Sequence, residues 1–282
     1  MTGLLSELRS RNPGAPLHRI AWYEFLRLLI KWVGWLVYGL RVHGAENFPK
    51  SGPVLIVANH QSHFDPPMIS TVTKRNMNFL ARKTLFNHPI FSAFINSLNA
   101  IPLDQEKGDV AAIKVAVEYL RQGRVVLIFA EGSRTHDGGL NEFKAGAGLL
   151  LRRSKATVVP IAIEGAYDIW PRTEPKPRGR GIAHVNVGEP IPFEQLKAMR
   201  GTSALDFLRS RVEELRLEAR AKIRKLSHDR YPRPGAGDYR YDDPDAPPRQ
   251  PDPWEKPATA PTGAGRAEAS EAIDQPATPA AT

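Results

Sequence analysis

The chain has no cysteine at all. That excludes disulfide bridges, thiolate metal sites and a cysteine nucleophile, and it fits a reducing compartment without proving one. A second absence concerns serine chemistry: no G-x-S-x-G segment is present, so no nucleophile elbow is expected. Long apolar runs are missing too. Within the Trp-rich stretch from Leu17 to Leu40 the longest uncharged run is Trp32–Leu40, nine residues, where roughly 20 are needed to span a bilayer. The first sixteen residues contain Arg9 and Arg11 but no short apolar core followed by a small-residue cleavage site, so no signal peptide is expected. Internal repeats and recognised nucleic-acid motifs are also lacking.

What is present is basic. The 282 residues carry a formal charge of +9, and the charge is uneven. Residues 1–227 hold 33 basic against 20 acidic side chains, a net +13, whereas residues 228–282 are acidic. A basic body calls for a polyanionic partner. With its cations scattered and no nucleic-acid motif, an anionic bilayer surface fits better than nucleic acid. In the segment from Leu17, Glu24, Arg27 and Lys31 share one helical stripe, while Trp22, Phe25, Leu28, Leu29, Trp32, Trp35 and Leu36 cover most of the rest. Three of the five tryptophans lie here. We expect residues 1–40 to form an amphipathic helical membrane anchor, with a core-packing helix as the alternative. The protein would then be peripheral, on the cytoplasmic face of the cell membrane.

From Pro53 onward, short apolar runs alternate with helical patterns, which predicts an α/β domain over 41–227 with a mixed sheet flanked by helices. Expected strands are 54–59, 78–82, 99–103, 125–130, 157–163 and 183–188; expected helices are 66–73, 86–97, 108–122, 145–153 and 203–226. The last helix carries Arg209, Glu213, Arg216, Arg220 and Arg224 on one face, most simply a solvated stripe. After Ser227, 11 of the 25 prolines appear with few aliphatic residues, so 228–282 reads as a disordered tail.

Two strand ends carry chemistry. The run 54–58 leads into Asn59-His60-Gln61-Ser62-His63-Phe64-Asp65-Pro66. Such a turn brings the His60 imidazole beside the Asp65 carboxylate at the carboxyl edge of a sheet, where open α/β folds place their sites. A carboxylate on one ring nitrogen fixes the tautomer and leaves the other nitrogen as a general base. A base without its own nucleophile implies direct deprotonation of a substrate hydroxyl. The run 125–130 ends in Glu131-Gly132-Ser133-Arg134-Thr135, a carboxylate, glycine, hydroxyl and guanidinium suited to an anion such as phosphate. His60 and His63 form an H-x-x-H pair, with His136 and Asp137 as further candidate ligands, but the order matches no zinc signature, and no metal is expected.

NHQSHFDP and FAEGSRT, in this order, resemble the first and third motifs of the glycerolipid acyltransferases, the lysophosphatidate acyltransferase family, and Val158–Gly165 is similar to its fourth. The resemblance spans roughly residues 40–195. It implies a membrane-associated enzyme that moves a fatty acyl group from acyl-CoA or acyl carrier protein to the hydroxyl of a lysolipid, most often 1-acylglycerol-3-phosphate, without a cofactor. His60 and Asp65 take the catalytic positions; Asn59, Glu131, Gly132, Ser133, Arg134 and Pro160 fall in motifs that line the substrate. In the second motif the family usually has Asp-Arg, whereas this chain reads Ala100-Ile101-Pro102-Leu103-Asp104-Gln105. Gln105 then replaces a phosphate-holding arginine, which leaves open an acceptor with another head group. Lys83, Lys144 and the basic loop Arg172–Arg180 are further candidates for donor, acceptor or membrane contact. Two rivals stay open: a thioesterase or lipid hydrolase using the same pair on water, and a basic membrane- or nucleic-acid-binding protein in which the pair is structural.

Overall fold

A computed structural model describes residues 2–104, 110–199 and 203–248. Helices α1 (Thr2–Arg11) and α2 (Leu17–Tyr38) precede the edge strand β1 (Arg41–His43). The remaining elements are β2 (Val54–Ala58), α3 (Asp65–Ser70), β3 (Met77–Arg82), α4 (Pro89–Ser97), β4 (Ala100–Leu103) and α5 (Val110–Arg121), then β5 (Val125–Phe129), α6 (Ala145–Ser154), β6 (Thr157–Glu164), α7 (Ala166–Ile169), β7 (His184–Val187), α8 (Phe193–Ala198) and α9 (Ser203–Ser227). One sheet runs β1-β7-β6-β2-β5-β3-β4. Its pairs are parallel except β6 with β7. The mixed α/β sheet flanked by helices is the architecture expected from the alternating pattern.

The central strands are apolar at every position because both faces are covered. Leu55, Val57, Val126, Ile128 and Val158 point into a core with α5, α6 and α9, through Ala116, Leu120, Leu150, Leu208 and Val212. Their neighbours Val54, Ile56, Leu127, Val159 and Ile161 point the other way, onto Leu40, Met68, Ile69 and Ile169. This is the period-2 alternation of a strand, with a core on each side. Truncating a fully buried residue such as Leu55 or Leu127 to alanine costs about 2–5 kcal/mol. At the turn from β6 into α7, Gly165 has φ +85°, and a Cβ there would lie 1.9 Å from the Ile182 carbonyl oxygen, so only glycine closes this turn.

β1 lies outside the predicted strands. Three residues with charge at one end give no alternation to read, and Arg41–His43 become a strand only by pairing with His184–Asn186.

Helix α2 is amphipathic in an unusual sense. Ile20, Tyr23 and Leu26 are buried, and Arg27 turns inward to Glu24 (Nη2–Oε2 2.6 Å). The tryptophan-rich face points outward: Phe25, Leu28, Trp32, Trp35 and Leu36 are each more than half exposed. Trp22 Nε1 donates to Ser97 Oγ of α4 (3.1 Å), and α4 adds exposed Ile90 and Phe94 to the apolar surface. Among the described residues no helix is long and apolar enough to cross a membrane.

Two expectations for the C-terminal part change. The chain does not leave the body at Ser227: residues 233–241 fold back over α9. The charged stripe of α9 is the reason, because its middle is buried rather than solvated. Arg216 and Glu213 are fully buried and Arg220 nearly so. Arg216 donates to Gly237 O (2.7 Å) and Tyr239 O (3.2 Å), and Arg220 to Asp238 Oδ1 (2.8 Å) and Arg233 O (2.7 Å). The rest of the expected tail, 249–282, lies outside the described residues.

Candidate active site

β2, β5 and β6 deliver the site at their carboxyl ends. Ala58 pairs with both Phe129 and Ile161, so the turns that follow β2, β5 and β6 open at one edge of the sheet. α3 opens directly after the β2 turn, with Asp65 in its first turn and Pro66 behind it, a position where proline costs no backbone hydrogen bond.

Asp65 is fully buried, and its Oδ2 gathers three donors: His60 Nδ1 at 2.7 Å, Gln61 N at 2.6 Å and Ser62 N at 2.7 Å. Oδ1 is buried with no hydrogen-bond partner. The His60 ring stacks on Phe129, centroids 3.8 Å apart and planes 12° from parallel. Its side chain keeps 19% exposure. With Nδ1 occupied, Nε2 faces the open side, which is the arrangement of a general base oriented by a carboxylate. The main chain of His60 is clamped as well: its N–H donates to Glu131 Oε1 (2.6 Å) and its carbonyl accepts from Thr135 N (2.8 Å).

Three of the residues that fall in substrate-lining motifs also hold the backbone. Glu131 is buried, and both its oxygens serve backbone N–H groups, His60 on one side and Asn141 (2.8 Å) on the other. It locks the two loops together. Asn59 is buried with both ends of its amide on Ile163, Nδ2 to O and N to Oδ1, each 2.8 Å. It ties β2 to β6 and fixes the loop. Pro160 is buried in mid-strand, paired with Val57, its carbonyl accepting from Gly188 N (2.9 Å). Three residues short of the His60 level, it lies roughly 10 Å below the site. Gln105 lies outside the described residues.

Gly132, φ +74°, turns the chain beneath the opening, and Lys144 packs against that turn. Ser133 is half-buried beside it. Arg134 is half-buried, with Nη1 buried and unpartnered. Burial pushes its guanidinium below its ordinary value, Arg172 and Arg82 push the same way, and Asp65 opposes them. Three arginines therefore crowd one place, a potential that an anion relieves. Arg172 also donates to the Arg134 carbonyl (3.3 Å) and meets His136 Nε2 (2.8 Å). His63 packs on Trp170 (4.7 Å), and burial together with Arg134 and His60 holds its imidazole below its usual value. Neutral there, it adds no charge to the cluster. Among the described residues no three His, Asp or Glu side chains are grouped to hold a metal ion.

Sequence reasoning missed Arg82 and the Phe129 platform as parts of this site, and singled out Arg172 only as part of a basic loop. Arg82 ends β3 and Arg172 sits in the basic loop after β6; only the sheet order brings them together.

A strand-end His/Asp pair next to an arginine-lined opening suits general-base chemistry on a substrate that carries an anion. The family model "Acyltransferase" matches residues 39–164, the part of the chain that carries both strand-end motifs. The chain is similar to the 1-acyl-sn-glycerol-3-phosphate acyltransferase of Streptococcus pneumoniae, 27% identical over 216 residues, covering 75% of this chain and 78% of that protein. The Bacillus subtilis protein of the same description is 26% identical over 198 residues, covering 68% of this chain and 96% of the relative. Among solved structures, the 1-acyl-sn-glycerophosphate (LPA) acyltransferase PlsC from Thermotoga maritima superposes with a TM-score of 0.60 at 27% identity, over 75% of this chain and 81% of that one.

Proposed function

We propose that this acyltransferase moves a fatty acyl group from acyl-CoA or acyl carrier protein to the free hydroxyl of 1-acylglycerol-3-phosphate, in phospholipid biosynthesis. The observation that carries the reading is the Asp65–His60 pair opening beside Arg134, whose buried Nη1 has no partner. His60 Nε2 takes the proton of the acceptor hydroxyl while Asp65 stabilises the resulting imidazolium. The alkoxide oxygen attacks the thioester carbonyl, the C–S bond breaks, and the imidazolium returns its proton to the departing thiolate. No covalent acyl-enzyme is required. Arg134, with Arg172 and Arg82 contributing field, holds the acceptor's phosphate and so places its hydroxyl against His60.

The outward tryptophan face of α2, continued by Ile90 and Phe94 of α4, supports interfacial binding to a bilayer. Such a face lowers its free energy by entering the headgroup region. That face supports a peripheral position; the cytoplasmic side of the membrane is part of the same proposal.

A second acceptor class stays in play because Gln105 falls where the resemblance to the glycerolipid acyltransferases implies an arginine. A lysolipid panel decides between them. Preference for lysophosphatidate, lost in Arg134→Ala, supports the phosphate reading; preference for a zwitterionic or uncharged acceptor, with Gln105→Arg improving lysophosphatidate use, overturns it. Thiol release without any acceptor, at the rate seen with one, would instead indicate a thioesterase.

A further inference from the structure

Gln61, inside the loop that carries the catalytic pair, is fully buried and fully used. Its backbone N–H is one of the three donors on Asp65 Oδ2. Its side chain reaches the other way: Nε2 donates to Gly138 O (3.0 Å) and to Glu164 Oε2 (3.1 Å), and Oε1 accepts from Tyr167 N (3.3 Å). Glu164, at the end of β6, is itself buried and is held by Arg220 (2.6 Å, on Oε1) and Arg216 (3.2 Å, on Oε2). Those arginines also hold the folded-back segment, through Gly237, Asp238, Tyr239 and Arg233. Burial alone would lower the Arg216 guanidinium. The hydrogen bonds that Arg216 donates to Glu213 and the charge of Glu164 outweigh it, so Arg216 stays charged.

We propose that Gln61 is a positioning residue for the His60–Asp65 pair, and that Glu164, Arg216 and Arg220 link it to the strap 233–241, which thereby braces the active site from the far side of α9. This rests on His60 and Asp65 being the catalytic pair. The physical reason for a brace is local. Residues 59–64 form no regular structure, and Asp65 Oδ2 keeps three donors only while the peptide planes of Gln61 and Ser62 stay aimed at it. A backbone loop acquires that rigidity from side chains anchored elsewhere. Gln61, Glu164, Glu213 and Arg216 are among the most buried polar side chains described. An ionic cluster in such a place contributes uncertainly to stability but fixes geometry strongly.

The test compares four full-length proteins (wild type, His60→Ala, Gln61→Met and Gln61→Glu), the double variant Gln61→Glu/Glu164→Gln, and chains ending at 248 or at 227. Each is followed by thermal melting and by separate kcat and KM for donor and acceptor. His60→Ala tests the catalytic pair itself: if it stays active, that reading fails first and on its own. With His60→Ala inactive, positioning predicts that folded Gln61→Met loses kcat by about 10–100-fold with both KM values within about threefold. Gln61→Glu, whose new carboxylate faces Glu164, should lose more, and adding Glu164→Gln should recover at least about threefold, the coupling of residues in one network. The chain ending at 248 should keep wild-type turnover; the chain ending at 227 should lose kcat as Gln61→Met does. Wild-type kcat in folded Gln61→Met overturns the proposal. So does purely additive loss in the double variant, which remains readable if Gln61→Met fails to fold.

Discussion

Replacing Asp65 by asparagine separates two effects that the hydrogen-bond geometry makes computable. Oδ2 faces three donors, two of them backbone N–H groups. An asparagine must therefore put its carbonyl oxygen there, because an amide NH2 would point hydrogens at N–H groups. The His60 tautomer is then kept, and what is lost is the carboxylate charge opposite the imidazolium. At a charge separation of about 4 Å and an effective dielectric near 20, that interaction is on the order of 4 kcal/mol. Turnover should fall on the order of 10²–10³-fold. Stability should move far less. Three charge-assisted hydrogen bonds become neutral ones, a loss of about 1 kcal/mol each. Against this, a fully buried carboxylate with an unpartnered Oδ1 no longer has to be desolvated, a relief of several kcal/mol. Initial rates of thiol release, with a thermal melt of the same sample, read both quantities. A folded Asp65→Asn protein that keeps more than about a tenth of wild-type kcat would refute the charge argument.

Arg134→Ala should raise the acceptor KM, or lower kcat/KM, by roughly 10–100-fold, the range of a lost charge-assisted contact, with donor KM little changed; steady-state titration of each substrate separates them. Substituting Trp32 and Trp35 with serine on the exposed face of α2 should release the protein from anionic vesicles in a sedimentation assay while leaving the melting temperature nearly unchanged, since neither side chain is buried. Unchanged vesicle binding would argue that this face does not meet the bilayer. His184, buried and 3.3 Å from His43, has an imidazole that burial, His43 and Arg41 push down to about 4. Its folded-state value is depressed, so the unfolded chain binds the proton first. Stability should be fully present above about pH 6.5 and decline as pH falls towards 4 by up to about 3 kcal/mol. Urea midpoints at pH 7 and pH 5 measure this, and His184→Gln should flatten the difference.

Much of the fold was legible because its central strands are buried on two faces. Val54–Ala58 and Val125–Phe129 are uninterrupted apolar runs, which only an interior strand or helix tolerates, and the flanking turns chose the strand. The contact between His60 and Asp65 was legible because a single turn joins the two residues. What escaped depended on partners distant in sequence. Glu131 and Asn59 carry functional groups that suit a ligand as well as they suit a backbone, and only the neighbouring strands reveal that the backbone takes them. The stripe on α9 has the same spacing whether it faces water or a buried carboxylate. Its partner Glu164 lies 52 positions before Arg216, and its cover is a proline-rich segment whose composition argues for disorder.

The central claim is direct transfer by His60, and it is tested most directly by incubating purified protein with a labelled acyl thioester and 1-acylglycerol-3-phosphate, wild type beside His60→Ala, and following labelled phosphatidate. The wild type should form phosphatidate with no label on the protein at any stage of turnover. Folded His60→Ala should form less by at least the ~10²–10⁴-fold that a general base supplies. A His60→Ala protein with more than about a tenth of wild-type activity, or a chemically competent acyl-enzyme in the wild type, would contradict the account.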